Sequence, residues 1–279
     1  MAPYGNAGAY RDGGPVGEAD TAPLPQLAGA GKRRRFRRFF YRATLTVTSI
    51  LACLAIAFGV LLLLTPSAGQ APQLAAKIAA EHGIAYPGPP VPANFARPLV
   101  ATEDQRFYSE VGGEDPLALA RVAGGAVTGA PDQGGATIAL QLAKMLYVGA
   151  DSAKHGTLSG KLTEVSLAFK LAIEYSKPEI LRLYAEVAYY GHGFYGLEQA
   201  SCGYFGHPSR ELTVTQGAML AGVVNAPTMD DPISNPAQAH SRLAHVIGRM
   251  VAVGDLTPAQ GAAALNAPLG LTSGYSHNC

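Results

Sequence analysis

Two adjacent acids, Glu103 and Asp104, follow the apolar run Arg-Pro-Leu-Val-Ala-Thr. A carboxylate at the mouth of an apolar patch has its charged form disfavoured, which tunes a general base toward neutral pH. Taken alone, the pair better suits a helix start, where acids satisfy backbone donors and the dipole. Downstream, Gly134-Gly135-Ala136-Thr137-Ile138 opens a segment that continues through Gln141 to Lys144. Paired glycines before a helix let backbone approach a ligand closely, and the exposed amides favour anions. Lys161 and Glu164 are three apart, so on a helix they share a face. They read either as a surface ion pair worth a few tenths of a kcal/mol or as a phosphate-binding cation beside a second carboxylate.

The elements that must position these residues are helical. LALARVAGGAV, ATIALQLAKMLYV, LTEVSLAFKLAIEYS, KPEILRLYAEVAYYG and TVTQGAMLAGVVNA repeat apolar residues at three- and four-residue spacing. Breaks fall at Gly134-Gly135, at Ser176-Lys177-Pro178, between Gly191 and Gly196, and at Asn225-Ala226-Pro227. Strand-like alternation is nearly absent, so the expected class is all-α, with one domain over 99–279. Residues 65–98 hold one short amphipathic segment, APQLAAKIAAEHG, and the proline-rich YPGPPVPANFARP. Polyproline geometry is extended, so this part reads as a semi-rigid stem with local docking.

The N-terminal part has its own logic. Residues 1–31 are rich in Gly, Ala and Pro without apolar periodicity, as in a disordered tail. KRRRFRRFFYR, at 32–42, concentrates seven cations. ATLTVTSILACLAIAFGVLLLL, at 43–64, has no charge and no proline. At about 1.5 Å per residue it crosses a hydrocarbon core of roughly 30 Å. The basic flank predicts a single-pass signal anchor with a cytoplasmic N-terminus and everything after residue 64 outside. From residue 65 there are 13 Lys and Arg against 17 Asp and Glu, a net −4. Binding to an anionic membrane surface must then use specific sites rather than bulk charge. The total charge of +1 gives no sign of a nucleic-acid partner, and three cysteines are too few for a disulfide-built mini-domain. Cys202 and Cys279 share the oxidising side and could pair; the alternative is two free thiols.

The order of these features is the most specific signal. Glu-Asp-x-x-Phe, Gly-Gly-x-Thr-Ile-x-x-Gln-Leu-Ala-Lys, Lys-x-x-Glu and Ser-Lys-x-Glu-Ile-Leu-x-x-Tyr follow one another. Then come Tyr189-Tyr190-Gly191-x-Gly193-x-Tyr195-Gly196-Leu197-Glu198-x-Ala200, Asn225-Ala226-Pro227, Asp231-Pro232 and Arg249-Met250. Over about residues 95–260 the chain resembles the peptidoglycan glycosyltransferase family, the monofunctional transglycosylases and the corresponding domains of bifunctional penicillin-binding proteins. The resemblance implies a lysozyme-like helical domain, anchored by one transmembrane helix, that polymerises lipid II outside the cytoplasmic membrane and releases undecaprenyl pyrophosphate. It implies Glu103 as the general base and Glu164 as the second catalytic carboxylate. Asp104, Thr137, Gln141, Lys144 and Lys161 become substrate-binding, the two lysines against the leaving pyrophosphate. The apolar stretch 116–131 would dip into the membrane to admit lipid substrate. No cofactor is required, although a divalent cation could assist the pyrophosphate. Expected partners are lipid II, the growing glycan strand, the membrane and penicillin-binding transpeptidases or other cell-wall synthesis proteins. A transpeptidase domain is not expected, because Ser-x-x-Lys and Lys-Thr-Gly are missing.

The chain also departs from the family pattern. The family's histidine falls near Glu110, and its Gly-Gly-Ser-Thr serine is Ala136. Its Thr-Gln-Gln reads Ala139-Leu140-Gln141, and the arginine before Lys161 is Gly160. The glutamate that ends the third motif is Ala172, and the asparagine of Tyr-Leu-Asn is Glu186. Each lost charged hydrogen bond is worth roughly 1.5–3 kcal/mol. A catalytically impaired scaffold in cell-wall synthesis is therefore the first alternative. A lysozyme-like hydrolase, also built on paired carboxylates, is the second, although a hydrolase needs no pyrophosphate site.

Overall fold

The computed structural model describes residues 30–109, 137–149, 157–272 and 279, with side chains from residue 36 onward. The expected helix over LALARVAGGAV, the stretch 116–131, Glu110, the Gly134-Gly135-Ala136 turn and residues 1–29 of the tail lie outside the described residues. Every extended element among the described residues is a helix, and the one bridge of strand type joins Tyr189 to Tyr195. The class is all-α.

Helix α1 runs over Ala30–Leu64. It contains an 18-residue window of mean hydropathy 2.7, none of it buried, long and apolar enough to cross a membrane. The rest of the fold belongs to a unit that begins at Ile56.

That unit starts earlier than the proline-rich sequence suggests. Helix α2 (Ala71–Glu81) buries Ala71, Ala75 and Ala79. These positions, four apart, form one small-residue face, and α2 packs with it against α6 (Lys177–Val187). Helix α3 (Ala93–Glu103) buries Phe95 and Leu99 in the same core. Lys170 Nζ donates to the carbonyls of Thr65 and Pro66 at 2.8 Å, and the hydroxyls of Tyr147 and Tyr175 donate to Ala68 O. Residues 65–98 are therefore part of the packed fold. A spacer would leave these groups in water; alanines are too weakly apolar to announce such a face in sequence.

Two groups of helices meet around α3. In one, α4 (Ile138–Ala143) packs on α5 (Leu158–Glu174) and on α6. Thr137 caps α4, its Oγ1 accepting Leu140 N–H at 3.2 Å. Past Ala143 the helix widens into a π turn over Lys144–Val148, closed by Gly149 N–H to Lys144 O at 2.7 Å. Helix α6 opens on Ser176 and Glu179, whose carboxylate accepts the Ser176 N–H at 2.8 Å in a capping box. Helix α7 spans Leu197–Phe205.

In the other group, α8 (Val214–Val223) is buried continuously from Thr215 to Val223. Its Gly217 is required: a Cβ there would lie 1.9 Å from Asn94 O, so α3 rides directly on the α8 backbone. Helix α9 (Pro236–Ala252) buries Ala239, Leu243, Val246, Ile247 and Met250 against α8 and α3, a repeat with helical period. Helix α10 (Pro258–Asn266) packs on α9. Between α6 and α7, the loop at Gly191 takes φ +84, and a Cβ would meet Pro227 O at 2.7 Å. The loop after α8 is thus pressed against it. His192 Nδ1 and Asp231 Oδ2, 2.5 Å apart, tie the two loops together.

Cys202 and Cys279 form a disulfide with Cα atoms 5.4 Å apart, settling the pairing that the sequence leaves open.

Candidate active site

Glu103 ends α3 instead of opening a helix, and α3, α4, α8 and α9 all send a group to it or end beside it. Its side chain is 8% exposed. Arg242 Nη2, from α9, donates to Oε1 at 2.8 Å. Gln141 Nε2, from α4, donates to Oε2 at 3.0 Å. Asn225 Nδ2, just beyond α8, lies 3.2 Å from Oε2 and 3.4 Å from Oε1. The apolar mouth expected around this acid is therefore replaced by one cation and two amides. The cause is tertiary: α9 folds back over α3 and brings a guanidinium that no local spacing announces.

The donors are themselves held. Tyr184 hydroxyl donates to Gln141 Oε1 at 2.8 Å, which fixes the amide with its NH₂ toward Glu103. Burial first, and then the negative charge of Glu103, keep that hydroxyl protonated far above the usual tyrosine range. Arg242 also faces Asp230 Oδ2 at 3.8 Å and reaches Gly222 O at 3.4 Å. Two turns on, Arg249 Nε donates to Ala101 O at 3.3 Å and its Nη2 to Gln105 Oε1 at 2.9 Å. Both arginines thus sit at the C-terminal end of α3, where a helix favours cations.

Asp104 turns the other way. It is 7% exposed, and its Oδ2 accepts the Ile138 N–H at 3.1 Å. Asp104 and Thr137 together satisfy the first donors of α4 and so lock α4 to the end of α3. The alternative of acids at a helix start therefore describes Asp104, through a helix 34 residues later, and not Glu103. The structure joins Glu103, Asp104, Thr137 and Gln141 by direct hydrogen bonds or through the α4 N-terminus. Lys144 is exposed at the π turn, one turn beyond Gln141. Lys161 and Glu164 are half-buried on α5, the helix packed on α4. Arg242 and Asp230 escape the sequence reading, as do the roles of Asn225 and of Tyr184, the last residue of the Ser-Lys-x-Glu-Ile-Leu-x-x-Tyr motif. The strong two-faced character of α9 is the one signal that could have drawn attention to Arg242.

A family model described as Transglycosylase matches residues 73–251. The chain belongs to the transglycosylase family. Among its relatives, a protein of Cupriavidus necator named as a transglycosylase is 34% identical over 203 residues, covering 72% of this chain and 86% of its own. Penicillin-binding protein 1A of Mycobacterium tuberculosis is 38% identical over 170 residues, 60% of this chain and 20% of that protein. The chain thus spans most of the first relative and about a fifth of the second. A crystal structure of penicillin-binding protein 1A from Haemophilus influenzae is 31% identical over 39% of this chain and 16% of its own, with a TM-score of 0.34, too low to bear on the fold. The matched segment begins inside α2 and ends in α9. The transglycosylase domain so delimited includes Glu103 and all three of its donors. At the level of family, this is a peptidoglycan glycosyltransferase domain, and the long apolar α1 fits a membrane-anchored protein.

Proposed function

We propose that this transglycosylase polymerises lipid II by inverting glycosyl transfer, with Glu103 as general base. The observation that carries the reading is the side chain of Glu103, almost buried at the meeting of α3, α4 and α9 and held by three donors. Asn225 is exposed and makes the longest of these bonds. The acceptor sugar's 4-hydroxyl takes its place at Glu103. The carboxylate removes the hydroxyl proton as the oxygen attacks the anomeric carbon of the donor. The bond from that carbon to pyrophosphate breaks, and the lipid pyrophosphate leaves with the electron pair. Lys144 and Lys161 stabilise the charge that develops on it. Asp104 and Thr137 act by fixing α4, and Gln141 orients Glu103. Glu164 arranges groups around the reaction centre.

Among the described residues, no group of three His, Cys, Asp or Glu is clustered to hold a metal ion. No step is routed through a metal. The positive flank of α1 orients the N-terminus to the cytoplasm and the domain to the outside, within reach of the lipid substrate and of transpeptidase partners. The scaffold reading has one observation in its favour: both oxygens of Glu103 are already engaged.

Polymerisation of lipid II by the full-length protein in detergent separates the two readings. Glu103→Gln keeps the shape and removes the proton affinity, so glycan synthesis should fall by about 10²–10⁴ with an unchanged circular dichroism spectrum. Equal synthesis by wild type and variant would reject Glu103 as the base. No synthesis by either protein would favour the scaffold.

A further inference from the structure

Residues 83–91 cross the last turn of α6 and enclose a cavity of about 240 Å³ with the start of α7. Ile84 and Leu197 give it apolar walls, while Arg182, Glu186 and Glu198 supply charge. Glu186 is 6% exposed. Its Oε1 accepts the Gly88 N–H at 2.7 Å and Arg182 Nη1 at 3.2 Å. Its Oε2 is buried and has no hydrogen-bond partner. Glu198 accepts the N–H of Ser209 at 3.0 Å and the hydroxyl of the same residue. Two carboxylates against one guanidinium leave the wall one negative charge in excess. Burial raises the Glu186 carboxyl above its ordinary range, the mark of a charge short of donors. This acid also stands where the family resemblance places a neutral asparagine.

We propose that the cavity binds an aliphatic ammonium group, its hydrocarbon against Ile84 and Leu197 and an N–H donated to Glu186 Oε2. A buried carboxylate oxygen without a donor is costly, and a cationic donor both satisfies it and balances the charge. The terminal torsion of a glutamate is broad. A twist about Cγ–Cδ turns Oε2 to the cavity, and the ammonium's donors then replace the Gly88 N–H and Arg182 bonds that Oε1 gives up. The site is separate from Glu103 and does not depend on the glycosyl-transfer reading.

The test uses the full chain in lipid nanodiscs with ¹³C-methyl isoleucine, titrated with n-pentylammonium, n-pentanol or pentanoate. The Ile84 methyl resonance should shift to saturation with pentylammonium and stay in place with pentanoate. Pentanol should bind at least about tenfold more weakly, and Glu186→Gln should weaken pentylammonium by about tenfold or more. Ala85→Met narrows the cavity at an exposed wall position and should abolish the shift with Glu186 intact. Three results would each overturn the proposal: no Ile84 shift with pentylammonium, equal binding of pentanol or pentanoate, or affinity unchanged by Glu186→Gln and Ala85→Met.

Discussion

At the residue scale, Arg242 is the group on which the site balances. It faces Glu103 and Asp230, whose side chains are 8% and 6% exposed. Removing one partner of a nearly buried pair leaves charge without compensation. Arg242→Gln should lower stability by about 2–3 kcal/mol in denaturant titrations, because two carboxylates lose one charged donor. Asp230→Asn should cost less, since Glu103 keeps its cation. Glu186 gives a second prediction, of opposite sign to the usual acid. Its carboxyl is raised by burial, against the pull of the Gly88 N–H and of Arg182. Between the ordinary glutamate value and the raised one, the folded chain holds a proton that the unfolded chain has released. Stability from this group therefore falls as pH rises through that window. Glu186→Gln should raise the melting temperature relative to wild type at pH 7.5, and the gain should shrink toward pH 4. A gain independent of pH would assign the effect to something other than titration.

At the scale of elements, the contact of α3 with α8 decides where Glu103 stands. Gly217→Ala would put a methyl group 1.9 Å from Asn94 O, where backbone must move. Overpacking of this kind costs about 3 kcal/mol, or about 6–12 °C in melting temperature for a domain of this size. Lipid II polymerisation should fall with it if the proposed base is Glu103, because α3 ends on that residue. The sequence made much of this scale legible. Apolar spacing marks α4, α5, α6 and α8, whose buried faces recur at three and four residues. It marked α2 as a short amphipathic segment that docks locally, but not as part of the core, because its buried face is three alanines. It also missed α9 as the source of Arg242, because the partners lie 139 residues apart and no local period encodes such a meeting. Glu103 itself was legible through the order of motifs, but its surroundings were not.

At the scale of the whole molecule, the uncharged run in α1 and its basic flank predict a topology that protease can read. Protease added to intact spheroplasts should remove the domain and leave the N-terminal tail, detected by an epitope at residue 2, protected. A protected domain would overturn the orientation and the access to lipid substrate. The disulfide belongs to this scale as well. It joins α7 to Cys279 across 77 residues. By loop-closure entropy, Cys202→Ser with Cys279→Ser should cost about 4 kcal/mol, measured by urea unfolding against the oxidised wild type. The near-zero net charge conceals these separate regions: residues 1–64 carry 8 Lys and Arg against 3 Asp and Glu, and the rest carries 13 against 17.

The reach of Arg242 back to Glu103 has a consequence for biogenesis. A ribosome makes Glu103 long before it makes α9, with α4 to α8 in between. Until residues 236–252 emerge and dock, the acid lacks its cation and α3 lacks the neighbour that bonds Ala101 and Gln105. A nascent or prematurely terminated product therefore carries the acid without the means to aim it. Completion of the polypeptide through residue 249 is therefore what brings both guanidinium groups to the end of α3.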